Sequence, residues 1–344
     1  MQPIELRSDN CSGVAPEILA AVAEANNGSA LAYGGDEWTA RLQQRVADVF
    51  EHPSVRVFPV STGTAANALG LSGLCPPWGE VLCHESAHIL KNECGATSLF
   101  GGGAVMRGLA GDDFRMSVEA LDTALATARW GDNHASQPSV LSLTSPTDFG
   151  TIYTTQQINE LTALARSRGL RVHLDGARIA NAVAALGCSP ADMTWRAGVD
   201  VISLGATKNG ALSTDAIVCF DPAVAEQLHY RVKRAGHVAS KMRFQSVQLE
   251  AYLTDGLWLR LASAANAAMA HLAAGLRALG LDLVADPQAN MLFARVDPGV
   301  IARMEANGLV FYTMGAGQIR FVTSFQTTID QAADAVLRVR DALG

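Results

Sequence analysis

Residues with distinctive chemistry follow several short apolar runs of this sequence. They are the segment STGTAAN that begins at Ser61, the histidine His88, the aspartate Asp175 and the lysine Lys208. In an open parallel sheet, ligands bind at the carboxyl ends of the strands, so residues directly after apolar runs are the first candidates for a site. Together these residue types can bind an anion, pair with a cation and attack a carbonyl carbon.

The STGTAAN segment has the composition of a phosphate-binding loop. It follows the strand-like VRVFPV and leads into a helix, so Gly63 lets backbone N–H groups approach an anion, while Thr62 and Thr64 add hydroxyl donors. No Lys-Ser or Lys-Thr pair follows, which excludes a nucleoside triphosphate loop. A simple helix cap is the alternative interpretation of these residues.

Lys208 and Asp175 indicate a particular cofactor. Lys208 follows the apolar run VDVISLGAT in a chain with only four lysines, and a partly buried amine there can act as a nucleophile. Close to a phosphate-binding loop, it predicts a Schiff base with pyridoxal phosphate. Asp175, in LRVHLDGARI, would pair with the protonated pyridine nitrogen. Arg178 could bind a substrate carboxylate, and a local ion pair between Asp175 and Arg178 is the alternative.

Two other motifs indicate different chemistry. The sequence HESAH, from His84 to His88, matches the HExxH pattern of zinc hydrolases, but His84 directly follows a strand-like segment and no third ligand follows at a familiar spacing. The glycine run 101–103 lacks the last glycine of a dinucleotide fingerprint, because Met106 stands there. We therefore predict no metal site and interpret the glycine run as a turn.

Composition and charge exclude several classes of protein. The chain has 344 residues, of which 49% are hydrophobic and 17% charged, and its formal net charge is −7. Such a chain is not expected to bind nucleic acid or an anionic membrane, and no apolar stretch reaches the roughly 18 residues of a membrane span. The six cysteines form no CxxC pair, and MQPIELRSDN lacks the apolar core of a secretory signal. We therefore predict a cytoplasmic enzyme.

The order of apolar and amphipathic segments predicts an α/β fold with a smaller C-terminal α+β domain. Apolar runs alternate with helical segments at residues 55–60, 80–83, 139–143, 170–174, 199–204 and 216–220, as in a parallel sheet covered by helices. From residue 255 a long Ala/Leu helix, several strand-like segments and a final helix follow. We predict an N-terminal segment of residues 1–14 that contributes to the active site, a large domain of residues 15–254 and a small domain of residues 255–344.

Together, these motifs resemble the threonine aldolase family, and most closely its low-specificity L-threonine and phenylserine aldolase branch. The matching segments are RSDN from Arg7, YGGDEWT from Tyr33, STGTAAN from Ser61, ESAHILKNECGA around His88, DGAR from Asp175, ATKNG around Lys208, KMR from Lys241 and IRFVTSF from Ile319. The resemblance implies the aspartate aminotransferase-like fold, which is fold type I of the pyridoxal phosphate enzymes, with a mostly parallel central sheet.

For the cofactor, the resemblance implies one role for each matching residue. Lys208 would hold pyridoxal 5′-phosphate, Asp175 would pair with its ring nitrogen and His88 would stack on its ring. The residues that would bind near its phosphate or ring are Thr62, Gly63, Thr64, Arg178 and Arg243.

For the substrate, the resemblance implies carboxylate binding by Ser8, Arg178 and Arg320, with Tyr33 lining the pocket. His88 and His134 would be the candidates for the base that takes the proton of a β-hydroxyl group, and an exposed loop position is the alternative for His134. The predicted reaction is cleavage of L-threonine, L-allo-threonine or another β-hydroxy-α-amino acid, such as phenylserine, to glycine and an aldehyde. The alternatives are a β-eliminating lyase or aminotransferase with the same cofactor, or a zinc hydrolase that uses HESAH.

The sequence departs from the family in two places. Residues 144–148 read TSPTD where many relatives have a Glu-Asn-Thr-His-like run, so contacts to the ring face and the β-substituent are expected to differ. A family lysine falls near Gly236, which leaves Arg243, Lys241 or Lys233 to balance the phosphate charge, or to form a solvated helix face. Relatives of this fold build their sites at a subunit interface, so a homodimer or homotetramer is expected.

Overall fold

The computed structural model describes residues 2–315 and 317–344. Within these ranges the strands are β1 (Ile4–Glu5), β2 (Arg56–Val60), β3 (Gly79–His84), β4 (Val105–Leu109), β5 (Gln137–Thr144), β6 (Arg171–Gly176), β7 (Val201–Leu204), β8 (Asp215–Cys219), β9 (Asp282–Leu283), β10 (Met291–Arg295), β11 (Leu309–Val310), β12 (Tyr312–Thr313) and β13 (Gln318–Val322).

The helices of the same ranges are α1 (Pro16–Ala25), α2 (Glu37–Val49), α3 (Gly63–Leu74), α4 (His88–Lys91), α5 (Ala96–Phe100), α6 (Val118–Ala126), α7 (Thr155–Ser167), α8 (Ile179–Leu186), α9 (Pro222–Arg234), α10 (Arg243–Leu253), α11 (Leu257–Ala278), α12 (Pro298–Ala306) and α13 (Ile329–Leu343). Of the helices described, none is both long enough and apolar enough to cross a membrane.

A seven-stranded sheet forms the centre of the molecule, in the order β2-β8-β7-β6-β5-β3-β4. All neighbours pair in parallel except β8, which is antiparallel to both β7 and β2. The predicted α/β fold with a mostly parallel sheet is thus confirmed. The prediction of a parallel strand at residues 216–220 is wrong, because residues 205–214 form only a short 3₁₀ turn and a parallel crossover needs a dozen or more residues.

Successive residues of the central strands point to opposite faces of the sheet, and each face has its own buried apolar cluster. On one face, Leu141 and Ile202 pack with apolar residues of α7 and α8. On the other face, Val140 and Val201 pack with α3 and α9. Because both faces are covered by helices, the strands read in the sequence as continuous apolar runs rather than as an alternating pattern.

The C-terminal part has its own sheet and core. Strands β12-β13-β10-β9 form an antiparallel sheet, and β1 pairs in parallel with β11. The apolar run LVFYTM at residues 309–314 forms two short strands, β11 and β12. Helix α11 connects the two parts, since Ala262 belongs to the core of the large sheet and Leu272 to the C-terminal core. Ile4 and Leu6 also lie in the C-terminal core, which fixes the segment that carries Ser8 and Asp9.

Candidate active site

The carboxyl ends of the parallel strands meet at one edge of the large sheet, and a cavity of about 280 Å³ opens there. Most of the residues predicted to bind a cofactor line this cavity. The sequence-predicted residues among its lining are Thr62, Gly63, Thr64, His88, Asp175, Arg178 and Lys208. Because parallel strands end at the same edge of a sheet, residues that are far apart in the sequence come together there.

The loop after β2 presents a helix N-terminus to this cavity. Thr62 is the N-cap of α3, and its Oγ1 accepts a hydrogen bond from the backbone N–H of Ala65 at 3.1 Å. The helix-cap interpretation is therefore correct for Thr62, but its hydroxyl hydrogen is still free to donate. Gly63 and Thr64 also line the cavity, where the unpaired N–H groups of the first helical turn favour an anion.

Asp175 is buried at the end of β6 and is held by two donors. Its Oδ1 accepts the N–H of Ala177 at 3.1 Å, and its Oδ2 accepts a hydrogen bond from Asn67 Nδ2 at 3.0 Å. A carboxylate has about four lone-pair positions, so Asp175 can still accept a further donor from the cavity. These two contacts fix the direction of the carboxylate without neutralising it.

Lys208 lies in the 3₁₀ turn after β7, and buried contacts on both sides hold this turn. The Oδ1 of Asp215 accepts the N–H groups of Ala206 at 2.8 Å and Thr207 at 3.1 Å. At Gly205 the backbone runs so close to the carbonyl oxygen of Ala177 that an added Cβ would overlap it. The turn is therefore rigid where the amine enters the cavity.

His88 begins the short helix α4 and is oriented by a buried glutamate. Its Nδ1 lies 2.9 Å from Glu93 Oε1, and Asn67 Nδ2 donates to the same oxygen at 2.8 Å. The hydrogen bond to Glu93 raises the pKa of His88, although burial opposes this. Asn67 thus links the groups that hold His88 and Asp175. The sequence alone indicates no role for Glu93 or Asn67, although Glu93 lies in the segment ESAHILKNECGA and Asn67 ends the segment STGTAAN.

A second cavity of about 590 Å³ adjoins the first and contains the predicted carboxylate-binding residues Ser8, Arg178 and Arg320. Arg178 forms a bidentate pair with Asp9, from Nε at 2.6 Å and from Nη2 at 2.9 Å. The alternative of a local ion pair between Arg178 and Asp175 is therefore wrong. Burial raises the pKa of Asp9, but the charge and hydrogen bonds of Arg178 outweigh this and leave it below its usual value.

Arg320 is held by fewer hydrogen bonds than Arg178. Its Nη2 donates to the backbone oxygen of Arg7 at 3.0 Å, while its Nε is buried and has no hydrogen-bond partner among the described residues. Burial lowers the pKa of Arg320, and the nearby charge of Arg178 lowers it further. An incoming carboxylate would satisfy the free donor and balance this charge.

In the described part of the chain, three predicted site residues lie outside both cavities. His134 is exposed in the loop before β5, at the amino edge of the sheet, whereas the cavities lie at the carboxyl edge. His134 therefore does not reach the cavities of its own subunit and has the exposed loop position of the alternative interpretation, while its role as a base stays a prediction. Tyr33 is exposed beneath Lys233 Nζ, which lies 4.7 Å from its ring centroid. Arg243 donates to the backbone oxygen of Gly28 at 3.2 Å, so neither side chain reaches the cavity of its own subunit.

The HESAH motif does not have the geometry of a zinc site. His84 ends β3, and its Nδ1 lies 2.7 Å from Ser86 Oγ, whereas His88 begins α4. The two histidines therefore do not share a face of one helix, as the HExxH pattern requires. Across residues 2–315 and 317–344, no group of three or more His, Cys, Asp or Glu side chains is placed to hold a metal ion.

Similar proteins of known family identify the family of this chain. The sequence pattern of the beta-eliminating lyase family matches residues 5–298. The low specificity L-threonine aldolase of Pseudomonas aeruginosa is 40% identical over 99% of this chain and 98% of its own length. This chain belongs to the threonine aldolase branch of that family. The threonine aldolase of Leishmania major superposes with a TM-score of 0.92 at 26% identity, over 98% of this chain and 99% of its own.

The more distant aspartate aminotransferase of Thermotoga maritima superposes with a TM-score of 0.73 at 14% identity, over 99% of this chain and 92% of its own. The predicted aspartate aminotransferase-like fold is thus confirmed. As a threonine aldolase family member with this fold, the enzyme is an aldehyde-lyase that depends on pyridoxal 5′-phosphate. The first cavity fits this cofactor, because it combines an anion-binding helix N-terminus, a buried carboxylate and one lysine amine.

Proposed function

We propose that this enzyme cleaves L-threonine, L-allo-threonine or a related β-hydroxy-α-amino acid, such as phenylserine, to glycine and an aldehyde. The observation that carries the proposal is the junction of the two cavities. Lys208 and His88 line both of them, so the predicted cofactor groups and the predicted carboxylate-binding groups meet at one lysine. The similarity to a low specificity L-threonine aldolase over nearly the full length supports the same reaction.

Each group of the first cavity would hold one part of the cofactor. We assign Lys208 to its aldehyde carbon, Asp175 to its ring nitrogen, and the N-terminus of α3 with Thr62, Gly63 and Thr64 to its phosphate. His88, fixed by Glu93, would lie against its ring. When bound, pyridoxal phosphate draws electrons from the substrate's Cα and so weakens the bonds to that carbon.

The second cavity would fix the orientation of the amino acid. Arg320 and Ser8 would hold its carboxylate, while Arg178, already paired with Asp9, would add directional N–H groups. Two anchors, at the carboxylate and at the amine, determine the rotation about the Cα–N bond and therefore which bond to Cα is aligned for cleavage. We propose that they select the Cα–Cβ bond, which distinguishes cleavage to glycine from transamination.

Cleavage also requires a group that accepts the proton of the β-hydroxyl, because this oxygen becomes the carbonyl oxygen of the aldehyde. Of the two histidines predicted for this role, only His88 lines the cavities. Its Nδ1 is engaged by Glu93, which leaves Nε2 as the nitrogen that can exchange a proton with a bound molecule.

We further propose a homodimer or homotetramer. The side chains of Tyr33 and Arg243 lie outside the cavities of their own subunit, although both belong to segments that resemble the family's site. The exposed apolar side chains of Leu31, Trp78 and Leu99 would favour an interface between subunits. In such an assembly, Tyr33 and Arg243 would serve the site of a neighbouring copy.

The proposed reaction is tested by the products formed from L-threonine. We expect acetaldehyde and glycine in equal amounts. A β-eliminating lyase would instead release 2-oxobutyrate and ammonia, and an aminotransferase would convert the cofactor to its amine form. If 2-oxobutyrate is the only product, and L-allo-threonine and phenylserine also give no glycine, the proposed function is wrong.

A further inference from the structure

The two cavities share a small set of lining residues, and one of them is a carboxylate that the reaction described above does not use. The shared residues are Asn10, His88, Asp148, Arg178 and Lys208. Asp148 lies in the TSPTD segment, which begins at the last residue of β5, Thr144. It therefore stands between the groups that we assign to the cofactor and those that we assign to the substrate carboxylate.

The segment that carries Asp148 is rigid. The N–H of Thr147 donates to the carbonyl oxygen of Thr151 at 2.8 Å, and the hydroxyl groups of these two threonines are also 2.8 Å apart. The N–H of Gly150 donates to the carbonyl oxygen of Thr147 at 3.0 Å. A side chain on such a tight turn keeps its position while substrates enter and leave.

Asp148 also has an unused acceptor. Its Oδ2 is buried and has no hydrogen-bond partner among the described residues. A buried polar atom without a partner is uncommon and suggests that a ligand completes the contact. Asp175, Asp215 and Asp9 already accept hydrogen bonds from protein groups. Glu93 also has an unpartnered buried oxygen, Oε2, but its Oε1 is held by Asn67 and His88, and Glu93 lines only the first cavity.

The surroundings of Asp148 suit a group that exchanges protons. Burial raises the pKa of its carboxyl group, and the negative charge of Asp175 raises it further. The positive charges of His88, Arg178 and Lys208 oppose this. A carboxyl group whose pKa is moved upward toward the working pH is a stronger base than an exposed one. The nearby His88 has a raised pKa as well, so it holds its own proton more firmly.

From this position we infer that Asp148, in place of His88, binds the β-hydroxyl group of the substrate and accepts its proton as the Cα–Cβ bond breaks, while His88 keeps its own proton and its position against the cofactor ring. The inference rests on the proposed function and adds the residue that recognises the hydroxyl group. The O–H bond breaks and its proton passes to Asp148 Oδ2, while the O–H electron pair forms the second C–O bond of the aldehyde. The Cα–Cβ electron pair stays with Cα, which takes up one proton to give glycine, so atoms and charge balance.

Two reactions of the holoenzyme separate this role from a structural one. Cleavage of L-threonine needs an acceptor for the hydroxyl proton, whereas exchange of the α-proton of glycine for deuterium does not. For Asp148→Asn, we expect cleavage to fall by about a hundredfold and glycine exchange, followed by NMR, to stay within about threefold of the wild type. The exposed Asp122, which lies on α6, provides the matched control Asp122→Asn, which should change neither rate.

Binding gives a readout that does not depend on turnover. The initial absorbance change on rapid mixing reports the affinity of the holoenzyme for L-serine, which has a β-hydroxyl group, and for L-alanine, which lacks it. We expect the wild type to bind L-serine about tenfold more tightly, since a hydrogen bond to a charged group is typically worth about that much, and Asp148→Ala to bind both equally.

The outcomes distinguish the inference from the proposed function. If the wild type cleaves L-threonine and Asp148→Asn does so within about threefold, the inference is wrong and the proposed function stands. If cleavage and glycine exchange fall together, or if Asp148→Ala keeps the preference for L-serine, Asp148 only supports the structure and the inference is also wrong. If the wild type cleaves no β-hydroxy amino acid, the proposed function fails and the inference fails with it.

Discussion

Arg178 and Asp9, which are 169 positions apart in the sequence, form a bidentate ion pair at the wall of the second cavity. The side chains are 12% and 2% exposed, respectively. Asn290 supports the pair by donating to Asp9 Oδ2 at 3.1 Å. The pair fixes the N-terminal segment, including Ser8, against the large sheet and holds the guanidinium group in one orientation beside the predicted substrate.

Replacing Asp9 by Asn should destabilise the protein and weaken substrate binding. Removal of one partner from a buried pair leaves an uncompensated charge, so we expect the free energy of unfolding in urea to fall by about 3 kcal/mol. The KM for L-threonine should rise more than kcat falls, because Arg178 would lose its orientation.

The exposed pair of Arg295 and Asp282, at 2.9 Å, provides the matched control. Asp282→Asn should change the free energy of unfolding by less than about 1 kcal/mol, as is usual for surface ion pairs. Equal effects of the two substitutions would contradict the role given to the Asp9–Arg178 pair.

The two predicted histidines should behave differently when replaced. His88 lines both cavities and would lie against the cofactor ring, so His88→Asn should misplace the cofactor and lower kcat by about a hundredfold. His134 is exposed at the opposite edge of the sheet, so His134→Asn should stay within about threefold of the wild type. Steady-state rates of acetaldehyde release measure both. A large loss in His134→Asn, with unchanged stability and assembly, would show that the exposed loop has a catalytic role.

The hydrogen bond between His88 and Glu93 predicts a pH dependence of stability. It raises the pKa of His88 above the ordinary value of 6.5, so the folded protein binds this proton more tightly than the unfolded chain does. The stabilisation is fully present below pH 6.5 and is lost as the pH rises through the folded pKa of His88.

Glu93→Gln removes the charged acceptor and should lower the free energy of unfolding most at acidic pH. The difference from the wild type should shrink as the pH rises above neutrality, when measured by urea unfolding at a series of pH values. The exposed Glu226 on α9 provides the control Glu226→Gln, for which no such trend is expected. A difference that grows with pH would contradict the assignment.

The structure brings together the site residues that the sequence places at the ends of strands. Lys208, Asp175 and the loop at Thr62 each follow a continuous apolar run, and the parallel sheet brings the ends of such runs to one edge. His134 was assigned from its distance to the following strand, but a residue before a strand lies at the opposite edge. The direction of β5 therefore separates His134 from the cavities of its own subunit.

The contacts between the functional groups could not be predicted from the sequence. Asn67, Glu93 and Asp9 all lie in recognised motifs, yet their roles depend on pairs that join distant segments, such as Asn67 to Asp175 and Asp9 to Arg178. Contacts between distant segments leave no periodic pattern in the sequence, so they cannot be predicted from it. The antiparallel direction of β8 was likewise missed, because a buried apolar run is the same in either direction.

The central claim is that Lys208 carries the carbonyl chemistry of this enzyme. The most direct test is to reduce the holoenzyme with borohydride and to identify by mass spectrometry the peptide that keeps the pyridoxal phosphate group. The modified residue should be Lys208 alone, and Lys208→Ala should carry no covalently bound cofactor. Labelling of Lys91, Lys233 or Lys241 in the wild type, or a reducible linkage that persists in Lys208→Ala, would contradict the claim.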